Sequence, residues 1–235
     1  MLAIYKNELK KFFNTLEGYV AMLLFLTVNS LAIWHIPSDL NLFQNNQADL
    51  SPFFELTPWV FLILIPSITM KMISNEMSNK TITILITKPI SKWNIIISKY
   101  LASCTIGVMS TLPTLIYVYT IFHLSEPKGN IDIGQIIASY IGVFLIISSY
   151  SAIGLFCSSK TQNVMISFIA TMSLIILLCF GLEFIGNTYN IFTIEYLSIN
   201  NHYKSISRGI IDTRDIIYFI SISYFFLFFT QINTE

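Results

Sequence analysis

The amino-acid sequence predicts an all-α membrane protein with six transmembrane helices, and three observations carry that expectation. Of 235 residues, 54% are apolar and only 11% are charged, where an ordinary soluble domain carries about 25% charged residues. Six runs are long and apolar enough to cross a hydrocarbon core about 30 Å thick, which takes roughly 20 helical residues because lipid offers no partner to exposed backbone groups. The basic residues, finally, fall unevenly between the two sets of loops. Mean hydropathy is +0.67. Thirteen Lys and Arg against thirteen Asp and Glu leave a formal net charge of zero, which removes the electrostatic footprint of a nucleic-acid binder. Cys104, Cys157 and Cys179 are odd in number and each lies in or beside an apolar run. They read as small hydrophobes rather than a disulfide framework. Length gives no reason to divide the chain, so residues 1–235 read as one membrane-embedded domain.

Residues 1–17 read as an interfacial helix. Leu2, Tyr5, Leu9, Phe12 and Phe13 recur at helical spacing, while Lys6, Lys10 and Lys11 take the other side. A basic start before an apolar stretch also fits a cleaved signal peptide, but no small-residue cleavage site precedes Trp34 and five further spans follow, so the first span is expected to be kept. Spans are expected at about 18–36, 54–72, 95–121, 133–157, 164–182 and 211–230.

Ser51 is expected to cap the second span, with Pro52 at the first helical position and Glu55 in the first turn. Pro66 and Pro113 lie within the second and third spans, as hinges or static bends, with Ser67, Ser110 and Thr111 near enough to serve the freed carbonyls. The fourth span carries Ser139, Gly142, Ser148, Ser149, Ser151 and Gly154, which suit close helix packing or, alternatively, a substrate-lining face. Trp59, Tyr117, Tyr119, Tyr218 and Tyr224 read as interface or packing aromatics. The last span is short in its strictly apolar part, 216–229, with Arg214 and Asp215 at its entrance.

Orientation follows from the basic residues. Lys6, Lys10, Lys11, Lys71, Lys80, Lys88, Lys92, Lys99 and Lys160 flank one set of span ends, and Lys128, Lys204, Arg208 and Arg214 the other. Both termini are therefore expected in the cytoplasm. No phosphate-binding G-x-x-x-x-G-K-[ST], no H-E-x-x-H and no G-x-S-x-G occurs, so nucleotide hydrolysis, metal sites and hydrolase chemistry are not expected of this chain. An intramembrane hydrolase would also need a paired nucleophile and base. Span cores carry essentially no charge, which argues against a proton-coupled route.

The segment at 74–93, S-N-E-M-S-N-K-T-I-T-I-L-I-T-K-P-I-S-K-W, lies between the second and third spans. Its glutamate, its amphipathic turn with Ile82, Leu85 and Ile86 toward one face, and its Lys88-Pro89 before an aromatic resemble the cytoplasmic coupling helix of ABC type-2 exporter permeases. A short helix of that kind suits a partner's groove, and Pro89 would stop it. The resemblance implies an ABC type-2 permease architecture in which the helix docks in a cleft of a separate ATPase subunit. It implies ATP and Mg on that partner and no cofactor on this chain, beside a second permease copy or a related membrane subunit. Glu76, Thr81, Leu85, Ile86, Lys88 and Pro89 would form or terminate the coupling element. The sequence departs from the family pattern, which has Gly before the Thr and Glu two residues after it, where Lys80 and Thr83 stand here.

Four further blocks narrow the resemblance: A-D-L-S-P-F-F-E-L-T-P-W at 48–59, L-P-T-L-I-Y-V-Y-T-I at 112–121, P-K-G-N-I-D-I-G at 127–134 and E-Y-L-S-I-N-N-H-Y-K-S-I-S-R-G-I-I-D-T-R-D-I-I-Y-F at 195–219. They are similar to the gliding-motility-associated ABC transporter permeases, the F-subunit family of the Gld system of Bacteroidota. That implies a multi-pass protein of the bacterial inner membrane, acting with a gliding-associated auxiliary membrane protein. Tyr203, Arg208, Asp212 and Arg214 in the last block are candidate external partner contacts, and helical spacing permits local ion pairs among Arg208, Asp212, Arg214 and Asp215. A solvated cap on the last two spans is the plainer reading of that block. Two other functions fit the same residues: a non-transporting scaffold of a motility or secretion apparatus, and a peptide or drug exporter unrelated to motility.

Overall fold

A computed structural model describes residues 1–37, 41–42, 49–81, 91–190 and 192–233, and among them no strand occurs. In chain order the helices are α1 (Leu2–Phe13), α2 (Leu16–Trp34), α3 (Ser51–Ser78), α4 (Lys92–Thr111), α5 (Leu115–Leu124), α6 (Ile133–Lys160), α7 (Val164–Ile176), α8 (Leu182–Tyr189), α9 (Phe192–Tyr196), α10 (Ile199–Ser207) and α11 (Thr213–Asn233). A 3-10 turn, Leu112–Thr114, joins α4 to α5, and a π turn, Leu177–Gly181, joins α7 to α8. Six helical spans result: Leu16–Trp34, Ser51–Ser78, Lys92–Leu124, Ile133–Lys160, Val164–Tyr189 and Thr213–Asn233. The coupling helix expected at 82–90 lies outside the described residues.

Six alternating spans bring both chain ends to one face. Ser98 Oγ donates to the Met1 carbonyl at 3.1 Å, and Asn233 Nδ2 lies 3.5 Å from Ser159 Oγ at the end of α6. This terminal face is where α3 projects: its 28 residues extend about 42 Å at about 1.5 Å each, well past a core about 30 Å thick. The expected boundary at 72 is thus the edge of the apolar stretch, and the helix runs on to Ser78.

The centre of the bundle is α3 against α6, whose apolar windows are 67% and 72% buried, against 22% for Leu16–Trp34 and Val164–Tyr189. Helices in lipid associate through close packing and hydrogen bonds rather than a hydrophobic force, and both are visible here. A Cβ on Gly154 of α6 would fall on the Thr69 side chain of α3, so only glycine allows this approach. Ser158 then enters the α3 ladder: its hydroxyl accepts from the N–H groups of Ile73 at 3.2 Å and Ser74 at 3.0 Å and donates to the Met70 carbonyl at 3.1 Å. Ser139, Ser149, Ser151 and Gly142 are buried too, and the small residues of this span serve helix packing.

The start of α3 differs from expectation. The N-cap is Leu50, Ser51 is already helical, and Glu55 lies beyond the first turn. Asp49 makes the local bonds instead, accepting from the Ser51 N–H at 3.1 Å and the Ser51 hydroxyl at 2.5 Å. Pro66 leaves α3 unbroken, whereas Pro113 falls in the 3-10 turn. Ser67, Ser110 and Thr111 donate to the carbonyls of Ile63, Ile106 and Val108, not to Leu62 and Met109, whose partners the prolines remove. The proline that does recruit a distant donor is Pro58. It frees the Phe54 carbonyl, and the Tyr203 hydroxyl, 149 residues on, donates to that oxygen at 2.8 Å. Tyr203→Phe should lower stability by about 1–3 kcal/mol by leaving a buried carbonyl unserved; the thermal midpoint in detergent measures it, and an unchanged midpoint would count against this role.

Candidate functional site

The terminal face carries a buried cluster of charges. Glu8 lies on α1, Glu76 two residues before the last residue of α3, and Lys99 on the second turn of α4. Lys99 Nζ donates to Glu76 Oε1 at 2.7 Å, Glu8 Oε1 at 3.1 Å and the Met72 carbonyl at 2.6 Å, which uses all of its N–H donors. Lys11 Nζ lies 2.9 Å from Glu8 Oε1 and 3.5 Å from Glu76 Oε1. Lys99 is 1% exposed and Glu8 5%. Desolvation of two such groups costs several kcal/mol each unless partners are well placed, and the balance of two lysines with two glutamates supplies them. Burial works against the Lys11 ammonium, but the hydrogen bond and charge of Glu8, with Glu76 behind it, outweigh that and hold its pKa above the ordinary lysine value.

This cluster brackets the segment read as the coupling element. Glu76 enters it and Lys99 leaves it, so both flanks are fastened to each other and to α1. Thr81 is exposed, with its hydroxyl 3.3 Å from the Glu76 carbonyl. Leu85, Ile86, Lys88 and Pro89 lie outside the described residues. Lys80 follows the end of α3 at φ 55, a left-handed conformation that glycine adopts without strain. The position at which the resembling family carries Gly is therefore one that the backbone here also asks to be Gly.

Beside the cluster a cavity of about 890 Å³ runs between α2 and α3. Its walls are apolar along most of its length, and its polar residues, Ser67 apart, gather at the terminal face. At its far end Trp59 stacks on Phe180 at 3.8 Å, which joins α3 to the π turn of the fifth span.

On the opposite face α10 is a wedge between spans. Ile199, Tyr203 and Ile206 are fully or almost fully buried, and Gly142 of α6 lies beneath Tyr203 and Ile206. Tyr203 is thus not an external contact: burial pushes its phenol far up, and it stays a donor to the Phe54 carbonyl. His202 Nδ1 meets Asp215 Oδ1 at 2.6 Å, and its ring stacks on Tyr218 at 3.9 Å. Glu183 of α8 holds Lys204 at 2.5 Å and Asn200 at 2.7 Å. The Ser198 hydroxyl donates to the Cys179 carbonyl in the π turn, where the helical ladder is loosened. Arg208, Asp212 and Arg214 are exposed. The expected local ion pairs are replaced: Asp212 caps α11 by accepting from the Arg214 N–H at 2.9 Å, and Asp215 is taken by His202. Among the described residues no three His, Cys, Asp or Glu converge as metal ligands would.

Sequence reasoning named Glu76 and Thr81 and missed Glu8 and the inward direction of Lys99. A lone acid on the basic side of α1 was the available signal for Glu8. Lys99→Met should cost about 3–5 kcal/mol because it leaves Lys11 as the single cation for the carboxylates of Glu8 and Glu76. Adding Glu8→Gln should return part of that loss, and denaturation midpoints of the single and double variants measure both. Lys80→Gly should stabilise by up to about 1 kcal/mol, since relief of the left-handed strain exceeds the added freedom of the unfolded chain; a lower midpoint would contradict this.

The profile of a family described as ABC-2 family transporter protein matches residues 2–229. No curated protein matches the chain.

Proposed function

From a chain that belongs to the ABC-2 family of transporter proteins, a multi-pass membrane component distinct from the ATPase it pairs with, we propose a permease subunit driven through residues 74–93. A separate ATPase subunit, carrying ATP and Mg, would dock on the apolar side of the segment containing Leu85 and Ile86, with Lys88-Pro89 ending the docked turn. The observation that carries this reading is the Glu8, Glu76, Lys11 and Lys99 cluster. A push on the segment reaches α1, α3 and α4 together, because its two flanks share one set of buried ion pairs. Such a device shifts the spans between two arrangements only if the ATPase contacts differ between them.

The finer assignment is a gliding-motility-associated permease of the F-subunit type, in the bacterial inner membrane as one domain over 1–235. Its support is the set of four sequence blocks, the longest at 195–219, which builds the α10 wedge. Both termini would be cytoplasmic, since the terminal face gathers most of the lysines. A second permease copy or a related membrane subunit would complete the pathway, with a gliding-associated auxiliary membrane protein meeting the exposed Arg208, Asp212 and Arg214.

Replacing Leu85 and Ile86 together with Asp should abolish stimulation of the partner ATPase in a reconstituted complex while leaving membrane insertion intact. Unchanged stimulation would overturn the assignment of the coupling element.

A further inference from the structure

The first helix, α1, lies across the bundle rather than along it. Met1 and Glu8, about 10 Å apart along α1 at about 1.5 Å per residue, bond to adjacent residues of α4, Ser98 and Lys99. That crossing sits at the depth of the head groups. The span Lys92–Leu124 has 33 residues, about 50 Å of helix against a core about 30 Å thick, which leaves the first two turns of α4 outside the hydrocarbon.

The charges of α1 are sorted between its two sides. Glu8, its only acid, is buried and turned inward to Lys99. At about 100° per residue, Leu2, Phe13, Lys6 and Lys10 follow one another within about 80° on the side away from Glu8. Leu2 is 68% exposed, and Lys6 and Lys10, one turn apart, are exposed beside it. The described carboxylates of the terminal face, Glu8, Glu17 and Glu76, are taken by Lys11, Lys71 and Lys99. Lys6 and Lys10 thus stand as uncompensated cations next to an exposed apolar edge, the pattern by which an in-plane helix meets a leaflet with acidic head groups.

We propose that Lys6 and Lys10 bind the phosphates of anionic phospholipid, of the phosphatidylglycerol kind, in the leaflet at the terminal face, with Leu2 and Phe13 against its acyl chains. A zwitterionic head brings its own cation to the two lysines and gains less from them. An acidic protein surface would meet the charge but leave Leu2 without an apolar partner. The helix is then fastened from both sides, by Glu8 inward to Lys99 and by Lys6 and Lys10 outward to the leaflet. The proposal rests on the chain being a membrane protein and not on ATP coupling, so its failure would leave the permease reading untouched.

The test uses the full chain carrying Leu2→Cys, labelled there with a bimane fluorophore; Cys104, Cys157 and Cys179 are buried and stay unlabelled. The labelled chain is placed in phosphatidylcholine bilayers that contain a fixed fraction of brominated phosphatidylglycerol or of brominated phosphatidylcholine, and the quenching by each is compared. Phosphatidylglycerol should be preferred at the label by about fivefold for each lysine, the equivalent of about 1 kcal/mol per lysine. Lys6→Gln with Lys10→Gln should bring the two lipids level, and Lys6→Arg with Lys10→Arg should keep the preference. Equal quenching by the two lipids with both lysines in place overturns the proposal, as does a preference that survives the Gln pair or is lost in the Arg pair. Absence of quenching by either lipid also overturns it, by placing this edge of α1 off the membrane.

Discussion

The buried ammonium of Lys99 is the constraint from which the architecture of the terminal face follows. An unpaired charge at that depth would be expelled or neutralised, so the start of α4 can sit inside the bundle only if acceptors arrive from elsewhere. They come from three places: Glu8 on α1, Glu76 on the projecting end of α3, and the Met72 carbonyl one turn before it. The projection of α3 beyond the apolar stretch and the docking of α1 on the bundle are thereby parts of one arrangement. Lys11 supplies the second positive charge that keeps the cluster neutral.

The opposite face is built on a different device, the repair of interrupted helices. Pro58 frees a carbonyl and Tyr203 serves it; the π turn loosens the fifth span and Ser198 binds the Cys179 carbonyl there. Both donors come from the same short stretch around α10, which His202 and Glu183 fasten to the neighbouring spans. In lipid an open backbone group has no water to turn to, so α10 is tied to the bundle by the defects it repairs. The two faces are joined by α3, which carries Phe54 at one end and Glu76 at the other.

The spans were legible in the sequence because crossing a hydrocarbon core imposes a length and an apolar composition that no tertiary contact can override. The amphipathic α1 was legible for the same reason, as a local periodicity. What escaped were partners far apart in sequence. Glu8 and Lys99 are 91 residues apart, and Lys99 looks like any lysine flanking a span until the rotation of α4 about its axis is known. Tyr203 was read as an external contact because the block around it is polar; the apolar recurrence of Ile199, Tyr203 and Ile206 was present, but nothing local says which surface it meets. Helix ends were legible only approximately: the Leu50 carbonyl, not the Ser51 hydroxyl, accepts from the Phe53 and Phe54 N–H groups, because Asp49 engages the Ser51 N–H and hydroxyl. The coupling role proposed for Leu85, Ile86, Lys88 and Pro89 stands on resemblance alone, whereas the ion pairs of Glu76 and Lys99 are contacts of the structure.

A permease driven from its terminal face must travel with its motor. The most direct measurement is affinity purification of the detergent-solubilised protein from its native membrane, followed by mass spectrometry and an ATPase assay on the complex. The account predicts that an ABC ATPase subunit co-purifies, that the complex hydrolyses ATP, and that substitutions within residues 74–93 release the subunit. Recovery of an intact complex with other membrane partners, without an ATPase subunit and without ATP hydrolysis, would contradict it.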